Sequence, residues 1–162
     1  MDTEVLELAR RDAQRIFVGK HVGAHSWPQD KINQMIAAEA RKGLRVVRLK
    51  SGDPRIFGRA GEEISAARKV GITVEIIPGV TAASAAGASL TRSLTERSVA
   101  NTLVLASGAG CTDDPTPDST RHSSPRTTTA LYMSAAGAER ISHKWMQQRI
   151  PSNNRVDICI DV

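Results

Sequence analysis

The sequence predicts an α/β fold with a mostly parallel sheet, on three observations. Strand-like and helix-like segments alternate from residue 15 to residue 90. The strand-like segments end in glycine or proline punctuation, at Gly19-Lys20, Ser51-Gly52-Asp53-Pro54 and Pro78-Gly79. A length of 162 residues suits one sizeable core or two small lobes. Alternation of this kind implies right-handed crossovers and places ligand chemistry at the carboxyl ends of the strands.

Residues 3–14 put Val5, Leu8, Ala9 and Ala13 near helical spacing, and RIFVGK at 15–20 follows as a short β-rich run. Ser26, Pro28 and Gln29 form a helix start signal, and Ile32, Met35, Ile36 and Ala40 share a face as far as Gly43. The spacing predicts a helix over about 28–42. RVVRLK at 45–50 reads as a strand, SGDP as a tight loop, and IFGRAGEEISAARKVG as a helix closed by a glycine cap. TVEIIPGV repeats the strand and loop, and TAASAAGASL supplies a helix of small residues.

TLVLAS at 102–107 predicts another strand. The stretch from 108 to 126 is rich in Gly, Pro, Ser, Thr and Asp, has no apolar period, and reads as a loop or linker. ALYM at 130–133 predicts a strand and 138–149 a helix, and in 155–162 the alternation of Val156, Ile158, Ile160 and Val162 predicts a closing strand.

Composition excludes several classes. Hydrophobic residues at 40% and charged residues at 24% are those of a folded chain, and an aromatic content of 3% leaves little material for stacking single-stranded nucleic acid. The net charge is +5, all of it in residues 1–60, which hold 12 basic and 7 acidic side chains. Such a field favours an anionic partner, be it nucleic acid, phosphate or a polycarboxylate, although a solvated basic face is the simpler reading. Cys111 and Cys159 show no disulfide spacing, the first residues contain no signal core, and no apolar run reaches membrane-spanning length. A cytoplasmic protein with no membrane partner is expected.

The segment richest in chemistry is Arg45 to Glu63, where a strand runs into a glycine turn and a helix opens with two acids. Backbone at Gly52 can approach a ligand closely, and amides there can hold a carboxylate or phosphate. No P-loop and no well-placed GxGxxG occurs. Asp53 has an alternative role in stabilising the turn before Pro54, Lys20 has one as a solvated strand-end lysine, and Glu62 and Glu63 suit a helix N-terminus. His21 and His25 flank Gly23 without an acidic partner, so no metal site is expected.

The run VGKHVGAHSWPQDKINQMIAAEARKGLRVVRLKSGDPRIFGRAGEE, with IIPGVTAAS at 76–84 and SLTERSVA at 93–100, resembles the S-adenosylmethionine-dependent uroporphyrinogen-III C-methyltransferases of the tetrapyrrole methylase family. These also form the methylase part of sirohaem synthases. The register holds from residue 1 to about residue 109, with LYM at 131–133 and the last strand recognisable beyond it. The resemblance implies two α/β lobes: an N-terminal lobe over 1–107, a loop or linker over 108–129, and part of a C-terminal lobe over 130–162. It implies methylation of uroporphyrinogen III to precorrin-2, towards sirohaem or cobalamin, with S-adenosylmethionine as donor, an anionic tetrapyrrole as substrate, no nucleic-acid partner, and a homodimer.

Carried over by motif, the donor site comprises Ser51, Gly52, Asp53, Ile56, Thr81, Ala82 and Met133, and Lys20 falls on a lysine with a proton-transfer role. Apolar Ile56, Ala82 and Met133 suit an adenosine and a sulfonium, and the polar turn suits the amino-acid end. Against the family pattern, Ser51 stands for a glycine, Arg55 for a phenylalanine and Ala109 for a histidine. The resemblance also implies a chain shortened at both ends, without its first strands, a Gly-Pro-Gly-Asp loop and a Tyr-Asp-Arg segment. The alternative function is therefore an inactive, degenerate fragment serving at most as a binding or subunit-pairing module.

Overall fold

The structure is a computed structural model that describes residues 4–19, 27–109, 124–148, 150 and 152–160. The chain divides into two compact units, Met1–Gly79 and Val80–Val162.

In the first unit, helix α1 (Glu4–Glu7) is a single turn, and the chain leaves the helix well before residue 14. Only Leu6 and Ala9 are even partly covered there, so no apolar stripe is buried to hold a longer helix. Helix α2 (Gln29–Arg41) starts at Pro28, whose carbonyl accepts from the Lys31 and Ile32 amides. Gln29 is the first residue of the helix, and its side-chain amide donates to Asn33 and Glu63, while Ser26 of the expected start signal lies outside the described residues. Ile32 is buried, Met35, Ile36 and Ala40 are partly covered, and Gly43 ends the helix at φ 80°.

Helix α3 (Ala60–Lys69) buries Ala60, Glu63 and Ala67 on one face. Its last turn closes with the Ile72 amide on the Ala67 carbonyl and the Gly71 amide on Arg68, with Gly71 at φ 77°, as the sequence predicts for a glycine cap.

The strands expected at 15–20, 45–50 and 73–80 do not form as ladders among the described residues. Their residues have the β-branched and apolar character of strands, but a strand is made by its hydrogen-bonded neighbour, and the described residues supply none. The consequence is exposure: Val47 and Ile77 are each 70% accessible. The expected closing strand at 155–162 is likewise unladdered over its described residues.

The second unit opens with helix α4 (Ala82–Ser89), whose Ser84 and Ala85 amides donate to the Thr81 carbonyl and which buries Ala83 and Gly87. Strands β1 (Thr102–Ser107) and β2 (Thr127–Tyr132) pair in parallel, with Thr102 opposite Thr127 and Ser107 opposite Tyr132. The two strands that the sequence reading assigns to different lobes thus share one sheet. β2 also begins earlier than ALYM, because Thr127, Thr128 and Thr129 are β-branched and take the ladder despite their polarity. Helix α5 (Ala138–Gln147) follows a 3₁₀ turn and buries Ile141. No described helix is long and apolar enough to cross a membrane.

Candidate functional site

The residues carried over by motif fall into two clusters, one in each unit, while Lys20, with His21 and His25, lies outside the described residues.

The first cluster is the turn Ser51–Gly58. Gly52 takes φ 73°, which an L side chain adopts only with strain, and the Asp53 carbonyl accepts from the Ile56 amide. The Asp53 side chain is buried, at 7% accessible, and bends back on its own turn. Its Oδ1 accepts from the Arg55 amide at 2.9 Å and from Arg55 Nε at 3.1 Å, and its Oδ2 accepts from Arg55 Nη2 at 2.9 Å. The Arg55 guanidinium and amide, aided slightly by the nearby Gly79 amide, hold the Asp53 carboxyl well below the usual carboxylate range against its partial desolvation. Asp53 therefore does brace the turn, the simpler of its two expected roles.

Backbone packing is tightest where the turn meets Gly79. A Cβ on Gly79 would lie 2.4 Å from the Gly52 carbonyl oxygen, and one on Gly58 would lie 2.5 Å from that of Pro54. Both contacts admit only glycine. Ser51 and Gly52 are exposed and Ile56 is partly covered, so the turn presents backbone and one aliphatic side chain around a fixed carboxylate.

A single carboxylate gathers two of the three basic residues of RVVRLK, Arg48 and Lys50. Glu63 accepts from Lys50 Nζ at 2.9 and 2.8 Å, from Arg48 Nε at 3.2 Å and from Gln29 at 3.2 Å. Burial pushes the Glu63 carboxyl up, but the Lys50 and Gln29 bonds and the charges of Lys50 and Arg48 outweigh it and leave the group below its ordinary value. Glu62 has a different role: it is solvent-facing and pairs with Arg59 at 2.7 Å. The sequence assigns Glu62 and Glu63 alike to a helix N-terminus; the structure separates them, because Ala60, Glu63 and Ala67 stand at i, i+3 and i+7 on the buried face of α3.

The second cluster is organised by Tyr132, which the family resemblance does not place in the donor site. Its hydroxyl bonds the Thr81 hydroxyl and accepts from the Ala83 amide at 3.2 Å, so it satisfies a free amide in the first turn of α4. Thr81, Ala82 and the end of β2 are thereby brought together. Met133 follows at φ 56° with 64% of its surface exposed, an apolar, polarisable side chain held outward by a left-handed backbone. The Gly108 amide donates to the Tyr132 carbonyl at 2.7 Å, and a Cβ at Gly108 would lie 2.4 Å from that of Ser134.

Residues 2–159 match the family described as tetrapyrrole (corrin/porphyrin) methylases. The chain belongs to this family. It is similar to a sirohaem synthase of Pseudoalteromonas atlantica, 42% identical over 153 residues that make up 94% of this chain and 33% of that protein. It is 53% identical over 105 residues to a sirohaem synthase of Edwardsiella ictaluri, covering 65% of this chain and 23% of the relative. Among solved structures it resembles the uroporphyrin-III C-methyl transferase of Thermus thermophilus complexed with S-adenosylhomocysteine, at a TM-score of 0.70 and 31% identity, over 89% of this chain and 59% of that one. The α/β architecture expected from the alternation of elements is thus that of the tetrapyrrole methylases. This methylase chain spans about a third of the length of the curated relatives it matches.

Proposed function

We propose that the chain carries donor-binding elements of an S-adenosylmethionine-dependent methyltransferase that acts on uroporphyrinogen III and yields precorrin-2. The observation that carries this reading is the Ser51–Ile56 turn: a left-handed Gly52, a buried Asp53 fixed by hydrogen bonds, and a Gly79 that leaves no room for a side chain. Backbone so exposed and so rigid suits close approach by a small polar ligand. The relatives named above, sirohaem synthases and a C-methyl transferase complexed with S-adenosylhomocysteine, support the same class of reaction.

Within this reading the polar Ser51–Asp53 turn suits the amino-acid end of the donor, and the family motif adds Ile56, Thr81, Ala82 and Met133, whose largely apolar character suits its adenosine and sulfonium. When bound, the donor supplies an electrophilic methyl group, which an electron-rich pyrrole carbon takes as the carbon–sulfur bond breaks. The protein's part is to hold the two partners in line and to exclude water, and Lys20 assists the movement of the proton. Tyr132 acts on donor binding indirectly, by fixing Thr81 and the start of α4. The basic excess of residues 1–60 fits an octacarboxylate substrate. The cytoplasm and a homodimeric state belong to the same reading.

Binding of S-adenosylhomocysteine, followed by isothermal titration calorimetry, tests the donor site. A saturable one-to-one isotherm is expected, weakened about tenfold or more in Asp53→Ala, because the turn loses the carboxylate that fixes it. An unchanged affinity in the variant removes the turn from the site.

A further inference from the structure

We infer that Arg55 is a carboxylate receptor, a guanidinium held ready by Asp53 to take an anionic carboxylate of the bound ligands; this rests on the donor-site reading of the Ser51–Ile56 turn. Of the five N–H groups of a guanidinium, Arg55 donates two to Asp53, through Nε and Nη2, and none of the others is donated to a described residue. The inner edge of the fork is thus occupied and the outer edge is open. The two ends of the pair differ in burial. Asp53 is 7% accessible whereas the Arg55 side chain is 59% accessible, so the acid is covered and the cation faces solvent.

Two features keep that cation attractive to an anion. Asp53 divides its acceptor oxygens between the Arg55 amide and the Nε and Nη2 groups of the guanidinium, which leaves the outer Nη1 edge with no acceptor among the described residues. The bidentate contact also fixes the plane of the fork, so that little side-chain entropy is lost when a second carboxylate docks on it. Planar pairing of this kind is what arginine offers and lysine does not.

Arg59 shows what distinguishes Arg55. It also forms a bidentate pair, with Glu62 at 2.7 Å through both Nε and Nη2, and is 57% exposed. Its acid, however, is 48% exposed and lies one turn away on α3, so the pair is a solvated surface contact. Arg55 is instead anchored to a buried acid in a glycine turn.

The carboxylate has two possible sources with the same chemistry: the amino-acid end of the donor, or a side chain of the tetrapyrrole. The full chain, with Arg55→Gln, Arg55→Lys and Arg59→Gln, is titrated with S-adenosylhomocysteine, with 5′-methylthioadenosine, which lacks the amino-acid carboxylate, and with uroporphyrin III. Each variant is first checked for an unchanged thermal midpoint, and Arg55→Lys, which keeps the charge, stands in if Arg55→Gln loses the fold.

A loss of about tenfold or more in S-adenosylhomocysteine affinity for Arg55→Gln, with 5′-methylthioadenosine unaffected, assigns the receptor to the donor. The same loss confined to uroporphyrin III assigns it to the substrate. Arg55→Lys is expected to recover only part of the affinity, and Arg59→Gln to bind as the unaltered chain does. Unchanged binding of both ligands by Arg55→Gln, or equal losses in Arg55→Gln and Arg59→Gln, overturns the inference alone. An unaltered chain that binds neither ligand overturns the donor-site reading itself.

Discussion

Replacing Gly79 by alanine is expected to dismantle the Ser51–Pro54 turn. The added Cβ would sit 2.4 Å from the Gly52 carbonyl oxygen and 3.1 Å from its carbon, far inside contact distance. Both are backbone atoms, so no rotamer change relieves the clash; one of the two segments has to move. Overpacking of this kind costs roughly 1–3 kcal/mol, and the Asp53 Cα, 3.5 Å from the added Cβ, would be displaced with the turn. Gly61→Ala provides the contrast, because no atom lies within 4 Å of its Cβ and it stands within α3. That change is expected to be neutral or to stabilise by up to about 1 kcal/mol through helix propensity. Denaturant titration of the two variants checks the difference, and equal midpoints would count against the described packing of the turn.

The second large effect is expected at Glu63. Among the described residues the buried apolar side chains are Ile32, Ala60, Ala67, Ala83 and Ile141, a modest core, so the network on Glu63 carries a larger share of what joins α2, residues 48–50 and α3. Glu63→Ala leaves Lys50, 12% accessible, without its hydrogen-bonded carboxylate, with only the more distant, solvent-facing Glu62 as a counter-charge. Removing one partner of a buried pair costs about 3–5 kcal/mol. The low end applies here, since the Arg48 side chain is 31% accessible and its charge is partly screened. A loss near 3 kcal/mol corresponds to a fall of roughly 6–12 °C in thermal midpoint for a chain of this size.

The same group sets a pH dependence. A carboxyl below its ordinary value in the folded chain releases its proton more readily there than in the unfolded chain, so stability rises with pH through that range. Its contribution is complete above the unfolded value of about 4.3 and declines as pH falls through the folded one. Thermal melts of the unaltered chain between pH 3 and 7, set against Glu63→Gln, are expected to differ by a steeper acid-side decline in the unaltered chain. Parallel curves would contradict the assignment.

Much of this was legible in the residues, for reasons that differ element by element. Helices α2 and α3 announce themselves because their apolar spacing is bounded by glycines that the structure finds at positive φ, Gly43 and Gly71. RVVRLK and TVEIIP illustrate the opposite case, since β propensity is local whereas a ladder needs a second chain segment that composition does not name. The turn at Gly52 was visible from SGDP, but the grip of Arg55 on Asp53 was not: a pair two residues apart meets only when the turn folds both side chains to one side. Tyr132 escaped notice for a similar reason, its partners Thr81 and Ala83 lying some fifty residues earlier in the chain.

The central claim, that these residues serve methyl transfer, is tested most directly with uroporphyrinogen III and S-adenosylmethionine labelled in its methyl group. Label carried into the tetrapyrrole, and reduced together with donor affinity in Asp53→Ala, is the result expected. Label that stays with the donor while S-adenosylhomocysteine binds normally would contradict it, and would leave the chain a donor-binding module without the reaction.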